Sequence, residues 1–140
     1  MKLYTSPRAP NPRRVMMFMA EKAITDIALV TVDINAQAHK ADAFRAINPL
    51  TTVPVLELDD GRVLSESRAI CTWLEGQFPD VNLMGVDADE RAFIEMADRR
   101  AEWYLLVPIA QVIRHTHPGL EALAHRRFPE KGHAHTVKVS

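Results

Sequence analysis

The chain has 140 residues, enough for one domain or for one domain and part of a second. Hydrophobic residues make up 47% and charged residues 25%, and the net charge of -1 gives no general attraction to nucleic acid or to an anionic membrane. No apolar run approaches the roughly 20 residues of a membrane-spanning helix. A single cysteine excludes an internal disulfide and favours a reducing, cytoplasmic location.

The first 80 residues alternate strand-like and helix-like patterns. Asn11 and Pro12 are typical of a helix start, because asparagine caps free N–H groups and proline suits the first helical position. Gly61 favours a hairpin turn, and Ser65 is placed to cap the next helix. The predicted elements are a strand over 1–5, a helix over 11–22, a strand over 27–32, a helix over 38–47, strands over 53–58 and 62–64, and a helix over 65–78. This β-α-β-α-β-β-α order predicts an α/β domain with helices flanking a mixed sheet.

The pattern changes after a short linker. Asp87 and Glu90 resemble a capping box, and helical spacing then continues to about Arg114, with an interruption at Pro108. Residues 115–140 carry five of the six histidines and have no convincing periodicity. Zinc ligands need fixed geometry and supporting contacts, which this tail does not indicate, so we expect no metal site.

Two segments on either side of the predicted hairpin are suited to hold the ends of a small acidic peptide. Pro54 lacks an N–H and belongs at a sheet edge or bulge, which leaves Val53 to pair with an outside peptide backbone; a cis bond between them would suit this. Free N–H groups around Glu66 and Ser67 form an anion site, and Glu66 is placed to pair with an amino group. The alternatives are a proline that ends an edge strand and an ordinary capped helix.

These residues resemble the glutathione transferase family. The resemblance rests on Leu3-Tyr4, Ser6-Pro7, Arg14-Val15, Glu21-Lys22, Asn48-Pro49, Val53-Pro54-Val55-Leu56 and Glu66-Ser67-Arg68-Ala69-Ile70. It implies a thioredoxin-like domain over residues 1–80 that binds glutathione, and then an all-helical domain. Residues 87–140 would be a truncated part of that domain, one long helix plus a tail. The resemblance also implies an enzyme that acts as a cytoplasmic homodimer and uses no metal.

The resemblance assigns roles to individual residues. Val53 would pair with the cysteinyl backbone of glutathione, and Glu66 and Ser67 would hold the γ-glutamyl amino and carboxylate groups. The glycyl carboxylate would lie near Lys40 and Thr51. The implied glutathione-binding residues are therefore Val53, Pro54, Glu66, Ser67, Lys40 and Thr51.

The group that activates the thiol is the least determined part of the site. A transferase donates a hydrogen bond to the bound thiolate, because the thiolate is the nucleophile. The family resemblance places this donor at Ala9, Pro10 or Asn11, and of these only Asn11 has a side-chain donor. Asn11 is therefore the first candidate, with helix capping as its alternative role. Ser6 is the next candidate, together with Thr5 and main-chain N–H groups.

The leading interpretation is a transferase that binds reduced glutathione and promotes attack of its thiolate on a small electrophile. Residues 5–14 contain no cysteine, and Cys71 fits a buried packing position, so disulfide exchange through the protein's own thiols is not expected. Two alternatives stay open. One is a non-catalytic glutathione-binding or dimerisation module, and the other is a disulfide reductase that uses two bound glutathiones.

Overall fold

The computed structural model describes residues 1–116, and the chain divides into two compact units, Met1–Val86 and Asp87–Ser140. The predicted tail lies outside the described residues from position 117 onward. The first unit contains strands β1 (Lys2–Thr5), β2 (Ala28–Thr31), β3 (Val55–Glu57) and β4 (Val63–Ser65), and helices α1 (Pro10–Glu21), α2 (Asp42–Ile47) and α3 (Ser67–Gln77). This confirms the predicted β-α-β-α-β-β-α order.

The four strands form one mixed sheet in the order β2-β1-β3-β4. β1 and β2 are parallel and are joined through α1, as a crossover connection requires, whereas β3 is antiparallel to both β1 and β4. The mixed sheet predicted from the element order is therefore present, in the thioredoxin-like arrangement that the resemblance implies.

Side chains alternate between the two faces of the sheet, and each face has its own hydrophobic cluster. Leu56 of β3 belongs to the larger cluster, and its neighbour Val55 belongs to the smaller one. The larger cluster consists of Leu3, Val15, Met19, Ile24, Ile27, Leu56, Leu58, Ile70, Cys71 and Leu74. The smaller cluster consists of Val32, Phe44 and Val55, with Tyr4, Ile47 and Val53 packed against it. Both faces of the sheet are thus covered, and Cys71 is buried as predicted.

Two predicted helices differ in their bounds. α1 begins at Pro10, so Ala9 is its N-cap and Asn11 is its second residue. The predicted cap at Asn11 is wrong, because Pro10 itself takes the first helical position that proline favours. The predicted helix over 38–47 is divided into a 3₁₀ turn and α2, because Ala41 between them is extended, with φ -62° and ψ 149°.

The β3–β4 hairpin closes through a three-residue loop. The Leu58 N–H donates to the Arg62 carbonyl at 2.9 Å, and the Gly61 N–H donates to the Leu58 carbonyl at 3.0 Å. Gly61 has φ 83°, a conformation that glycine adopts without steric cost. The predicted turn is confirmed.

The second unit is helical from Ala88 to Thr116, in three consecutive segments: α4 (Ala88–Ala101), a π-helical turn (Glu102–Leu106) and α5 (Val107–Thr116). The Asp87 carboxylate accepts a hydrogen bond from the Glu90 N–H at 2.9 Å, which confirms that Asp87 caps the first segment. Proline cannot donate to the carbonyl four residues earlier, and its ring crowds that carbonyl. The π-helical turn ends at Leu106, and Val107 and Pro108 continue the helix, so the helix widens just ahead of the proline and continues.

Many large apolar side chains of the second unit are exposed. They are Phe93, Met96, Trp103, Tyr104, Leu105, Ile109, Val112 and Ile113. None of the helices within residues 1–116 has the length and apolar character needed to cross a membrane.

Candidate functional site

Three segments of the chain enter or leave the sheet at the same end. The register pairs Val55 of β3 with Ser65 of β4 on one side, and β1 pairs with β3 on the other. Because β1 and β4 both run antiparallel to β3, residues that follow β1 and β4 lie at the end where β3 begins. Ser6 after β1, Val53 before β3 and Ser67 after β4 therefore share this end of the sheet.

Val53 and Pro54 enter the sheet without joining its ladder. The peptide bond between them is cis. The predicted edge position is wrong, because β3 is an interior strand; Pro54 precedes the paired residues, so its missing N–H removes no ladder bond. Within residues 1–116 the structure gives the Val53 main chain no hydrogen-bond partner, while its side chain packs against the smaller cluster. The Val53 N–H and C=O are thus held in place and available to an extended ligand.

A single residue, Glu66, joins β4 to α3. Ser65 ends the strand and therefore does not cap the helix, contrary to the prediction. Glu66 has φ 69° and ψ 116°, a conformation that is uncommon for any residue other than glycine. Its side chain is exposed. This abrupt change of direction places the N-terminus of α3 at the end of the sheet where Val53 lies.

The N-terminus of α3 has the features of an anion site. The Ile70 N–H makes the first helical hydrogen bond, to the Glu66 carbonyl at 3.0 Å, so the preceding N–H groups point out of the helix end. Ser67 is only 5% exposed, and its Oγ accepts a hydrogen bond from Nη1 of Arg14 at 3.2 Å. The helix dipole and the guanidinium both favour a negatively charged group here.

Asn48 organises the loop that leads to Val53. Its Nδ2 donates to the carbonyl of Thr52 at 2.9 Å and to the Thr52 hydroxyl at 3.2 Å, and its Oδ1 accepts from the Leu50 N–H at 3.2 Å. The Asn48 carbonyl accepts from the Thr51 N–H at 2.9 Å, and Thr51 has φ 53°. The sequence showed Asn48 only as a helix end, because these contacts depend on the three-dimensional path of the loop.

Lys40 lies in the 3₁₀ turn before α2. The contacts that the structure describes do not join it to the other predicted site residues. Its Nζ donates to Oε1 of Gln37 at 3.4 Å. Next to it, Nδ1 of His39 is buried and has no hydrogen-bond partner within residues 1–116. Burial, and secondly the charge of Lys40, lower the pKa of His39 and favour its neutral form. The sequence prediction did not include His39.

The hydrogen-bond donors at the start of α1 are concentrated in one residue, Asn11. Pro10 and Pro12 have no main-chain N–H, and the Arg13 N–H donates to the Ala9 carbonyl at 3.1 Å. Asn11 is exposed and supplies both a main-chain N–H and a side-chain amide. Because Asn11 does not cap the helix, helix capping, the alternative role of this side chain, does not apply.

The two hydroxyl groups of β1 are engaged within the protein. Tyr4 donates to Oε2 of Glu57 at 2.7 Å, and Lys2 donates to Oε1 of the same carboxylate at 3.1 Å. The hydrogen bond from Tyr4, followed by that from Lys2, lowers the pKa of Glu57, and the same bond raises the pKa of Tyr4. Thr5 is buried and donates to the sulfur of Met16 at 3.5 Å. Thr5 is therefore a weaker candidate for the thiol than Ser6 or Asn11.

Within residues 1–116, no group of three or more histidine, cysteine, aspartate or glutamate side chains is arranged to hold a metal ion. Of the five histidines in the predicted tail, only His115 belongs to this part of the chain, and it is exposed. The expectation about metal binding by the tail therefore stays a prediction.

The comparisons with known proteins concern the family and the fold. Residues 9–77 match the family of glutathione S-transferase N-terminal domains. Glutathione S-transferase 2 from Saccharomyces cerevisiae is 36% identical over 121 residues, which cover 86% of this chain and 52% of that protein. Maleylpyruvate isomerase from a Ralstonia species is 36% identical over 91 residues, which cover 65% of this chain and 42% of that protein. The chain spans about half the length of the curated relatives it matches.

A solved structure extends the similarity across both units. The crystal structure of a glutathione S-transferase domain-containing protein from Marinobacter aquaeolei matches with a TM-score of 0.81 and 40% identity, over 90% of this chain and 62% of that one. Helices α1 to α3, strands β2 to β4 and the site at the start of α3 lie in the part of the chain that matches the family. The first unit is a thioredoxin-like glutathione S-transferase N-terminal domain, and the chain belongs to the glutathione S-transferase family.

Proposed function

We propose that this chain is the glutathione-binding part of a transferase that promotes attack of the glutathione thiolate on a small electrophile. One observation carries the proposal: the Val53 main chain, which has no hydrogen-bond partner within residues 1–116, and the N-terminus of α3, with Ser67, meet at one end of the sheet. A peptide with an acidic terminus needs both features, a strand partner and an anion site. The proposal includes a thioredoxin-like domain over residues 1–80 and a helical domain that begins at residue 87, in a cytoplasmic homodimer.

The geometry supports a definite orientation of glutathione. Its cysteinyl backbone pairs with Val53, its γ-glutamyl carboxylate accepts hydrogen bonds at Ser67, and its amino group pairs with the exposed carboxylate of Glu66. The glycyl carboxylate belongs to the other side of the Val53 segment, at Thr51 and at the turn that holds Lys40.

The start of α1 supports a role in activating the thiol. A thiolate near Asn11 accepts from its main-chain N–H or its side-chain amide, and the positive end of the helix dipole stabilises the same charge. Each contribution lowers the pKa of the bound thiol, and this raises the fraction of nucleophile at neutral pH. Ser6 remains the second candidate.

The Ser67→Ala variant tests glutathione binding. Removing a hydrogen bond to a carboxylate costs about 1.5–3 kcal/mol, so we expect affinity to fall by about 10- to 150-fold. Isothermal titration calorimetry with reduced glutathione measures this, and Thr72→Ala, an exposed change farther along α3, is the matched control. An unmodified chain that gives no heat with millimolar glutathione would rule out the proposal.

The Asn11→Ala variant tests thiol activation. Loss of the amide donor raises the pKa of the bound thiol. The thiolate fraction therefore falls at pH values below that pKa and recovers at pH values above it. We expect turnover of an aryl halide to fall by about 10- to 100-fold at pH 6.5 and much less at pH 9. Asn11→Asp has the same shape but donates no hydrogen bond, so it should match or exceed this loss. A pH profile that neither change shifts excludes Asn11, and no turnover by the unmodified chain favours the non-catalytic module.

The match with a maleylpyruvate isomerase makes isomerisation a second candidate. The same bound thiolate would then add to a double bond and leave again, so the reaction would consume no glutathione. Conjugation forms a thioether and consumes one thiol for each product molecule. Following the thiol concentration during turnover therefore separates the two reactions, and a small disulfide as substrate tests the reductase alternative.

A further inference from the structure

We infer that Arg14 is a positioning residue for the proposed glutathione site, because it orients the Ser67 hydroxyl as a donor to the γ-glutamyl carboxylate. The inference rests on the proposed function. It adds a residue that does not bind the backbone of glutathione and acts through Ser67. Arg14 lies in α1 and Ser67 begins α3, so the contact also joins two helices that cover the same face of the sheet.

The direction of the hydrogen bond follows from the chemistry of the two groups. Nη1 of Arg14 lies 3.2 Å from Oγ of Ser67. A guanidinium has only donors, whereas a hydroxyl has one hydrogen and two acceptor lone pairs. Arg14 must therefore donate, and Ser67 must accept.

This leaves the hydrogen of the Ser67 hydroxyl to be used elsewhere. Ser67 is only 5% exposed, so water has little access to the group. Within residues 1–116 the structure gives this hydroxyl a hydrogen bond that it accepts and none that it donates. A buried donor without an acceptor is unfavourable, and a carboxylate at the N-terminus of α3 would supply the acceptor.

The charge of Arg14 strengthens the same interaction. A hydrogen bond from a charged donor polarises the hydroxyl and makes its own O–H a better donor to the ligand. The guanidinium is also positively charged, the same sign as the partial charge at the helix N-terminus. Arg14 thus favours a carboxylate over a neutral group in the same position.

The test compares two ligands and four variants by competition calorimetry. The ligands are glutathione and its analogue in which hydrogen replaces the γ-glutamyl α-carboxylate. We expect Arg14→Met to weaken glutathione binding by about tenfold and analogue binding by less than about twofold. Arg14→Lys keeps a charged donor and should recover part of the loss. In the Ser67→Ala background, Arg14→Met should weaken glutathione binding by less than about threefold.

The outcomes separate this inference from the proposed function. Equal losses for the two ligands, or an undiminished loss in the Ser67→Ala background, would show that Arg14 acts only through the stability of the fold and would overturn the inference. Glutathione binding that Arg14→Met leaves unchanged overturns it too, with the proposed function intact. An unmodified chain that does not bind glutathione overturns both. Circular dichroism of each variant establishes that it is folded.

Discussion

The Lys22→Met variant is expected to lose about 3–5 kcal/mol of the free energy of unfolding, because it breaks a buried charge pair by removing one partner. The Lys22 side chain is fully buried, and its Nζ lies 2.9 Å from Oε2 of Glu75. The Glu75 side chain is only 14% exposed, so in the variant its charge would be left without a counter-ion in a poorly solvated position.

The Lys22 ammonium donates its hydrogens to main-chain carbonyls and not to this carboxylate. Nζ donates to the main-chain carbonyls of Phe78, Asp80 and Val81 at 2.7, 3.2 and 2.9 Å. An ammonium has three hydrogens, so Glu75 supplies the opposite charge while Oε2 receives no hydrogen bond. Lys22 therefore holds the chain after α3 against α1, and methionine would leave three carbonyls without their donor.

Urea unfolding followed by far-ultraviolet circular dichroism measures this loss. Lys2→Met is the matched control, because Lys2 forms an exposed ion pair with Glu57 and should change stability far less. Adding Glu75→Gln to Lys22→Met removes the unpaired charge and should recover part of the free energy. A Lys22→Met protein as stable as the Lys2→Met control would contradict this account of the cluster.

The parts of the fold that depend on local patterns were predictable from the sequence. The hairpin was predictable because Gly61 marks its turn, and the cap at Asp87 because its partner lies only three residues away. The interior position of β3 was not, since a proline before a strand looks the same in sequence whether the strand lies at an edge or in the interior. The start of α1 was ambiguous because Pro10 and Pro12 both suit a first turn.

The parts of the site that depend on long-range contacts could not be predicted in the same way. The pattern around Glu66 and Ser67 indicated an anion site, but Glu66 gives no sign that it takes a positive φ and turns a strand into a helix within one residue. The bond from Arg14 to Ser67 joins residues 53 positions apart, and no periodicity within either helix reveals it. The groups that bind the ligand are therefore easier to predict from the sequence than the groups that hold those binding groups in position.

Asn48→Ala is the change expected to affect both stability and binding. Asn48 is 4% exposed, and its side chain makes three hydrogen bonds to the loop before Val53. Alanine would leave the Thr52 carbonyl and the Leu50 N–H without these partners, at a cost of about 2–4 kcal/mol of unfolding free energy. The loosened loop must also be ordered again when a ligand pairs with Val53, which costs about 1–2 kcal/mol for each residue fixed. Glutathione affinity should therefore fall by about tenfold or more.

Thr52→Val separates the contributions of the hydrogen bonds. It removes only the 3.2 Å bond to the hydroxyl and keeps the 2.9 Å bond from Asn48 to the Thr52 carbonyl, so stability and affinity should change little. Urea unfolding and calorimetry with glutathione provide the two readouts. If Asn48→Ala lowers stability but leaves glutathione affinity at the level of Thr52→Val, then the loop does not determine the position of the Val53 main chain. Losses of both affinity and stability relative to that control instead mean that one buried amide both holds the loop after α2 and aligns the segment that receives the ligand.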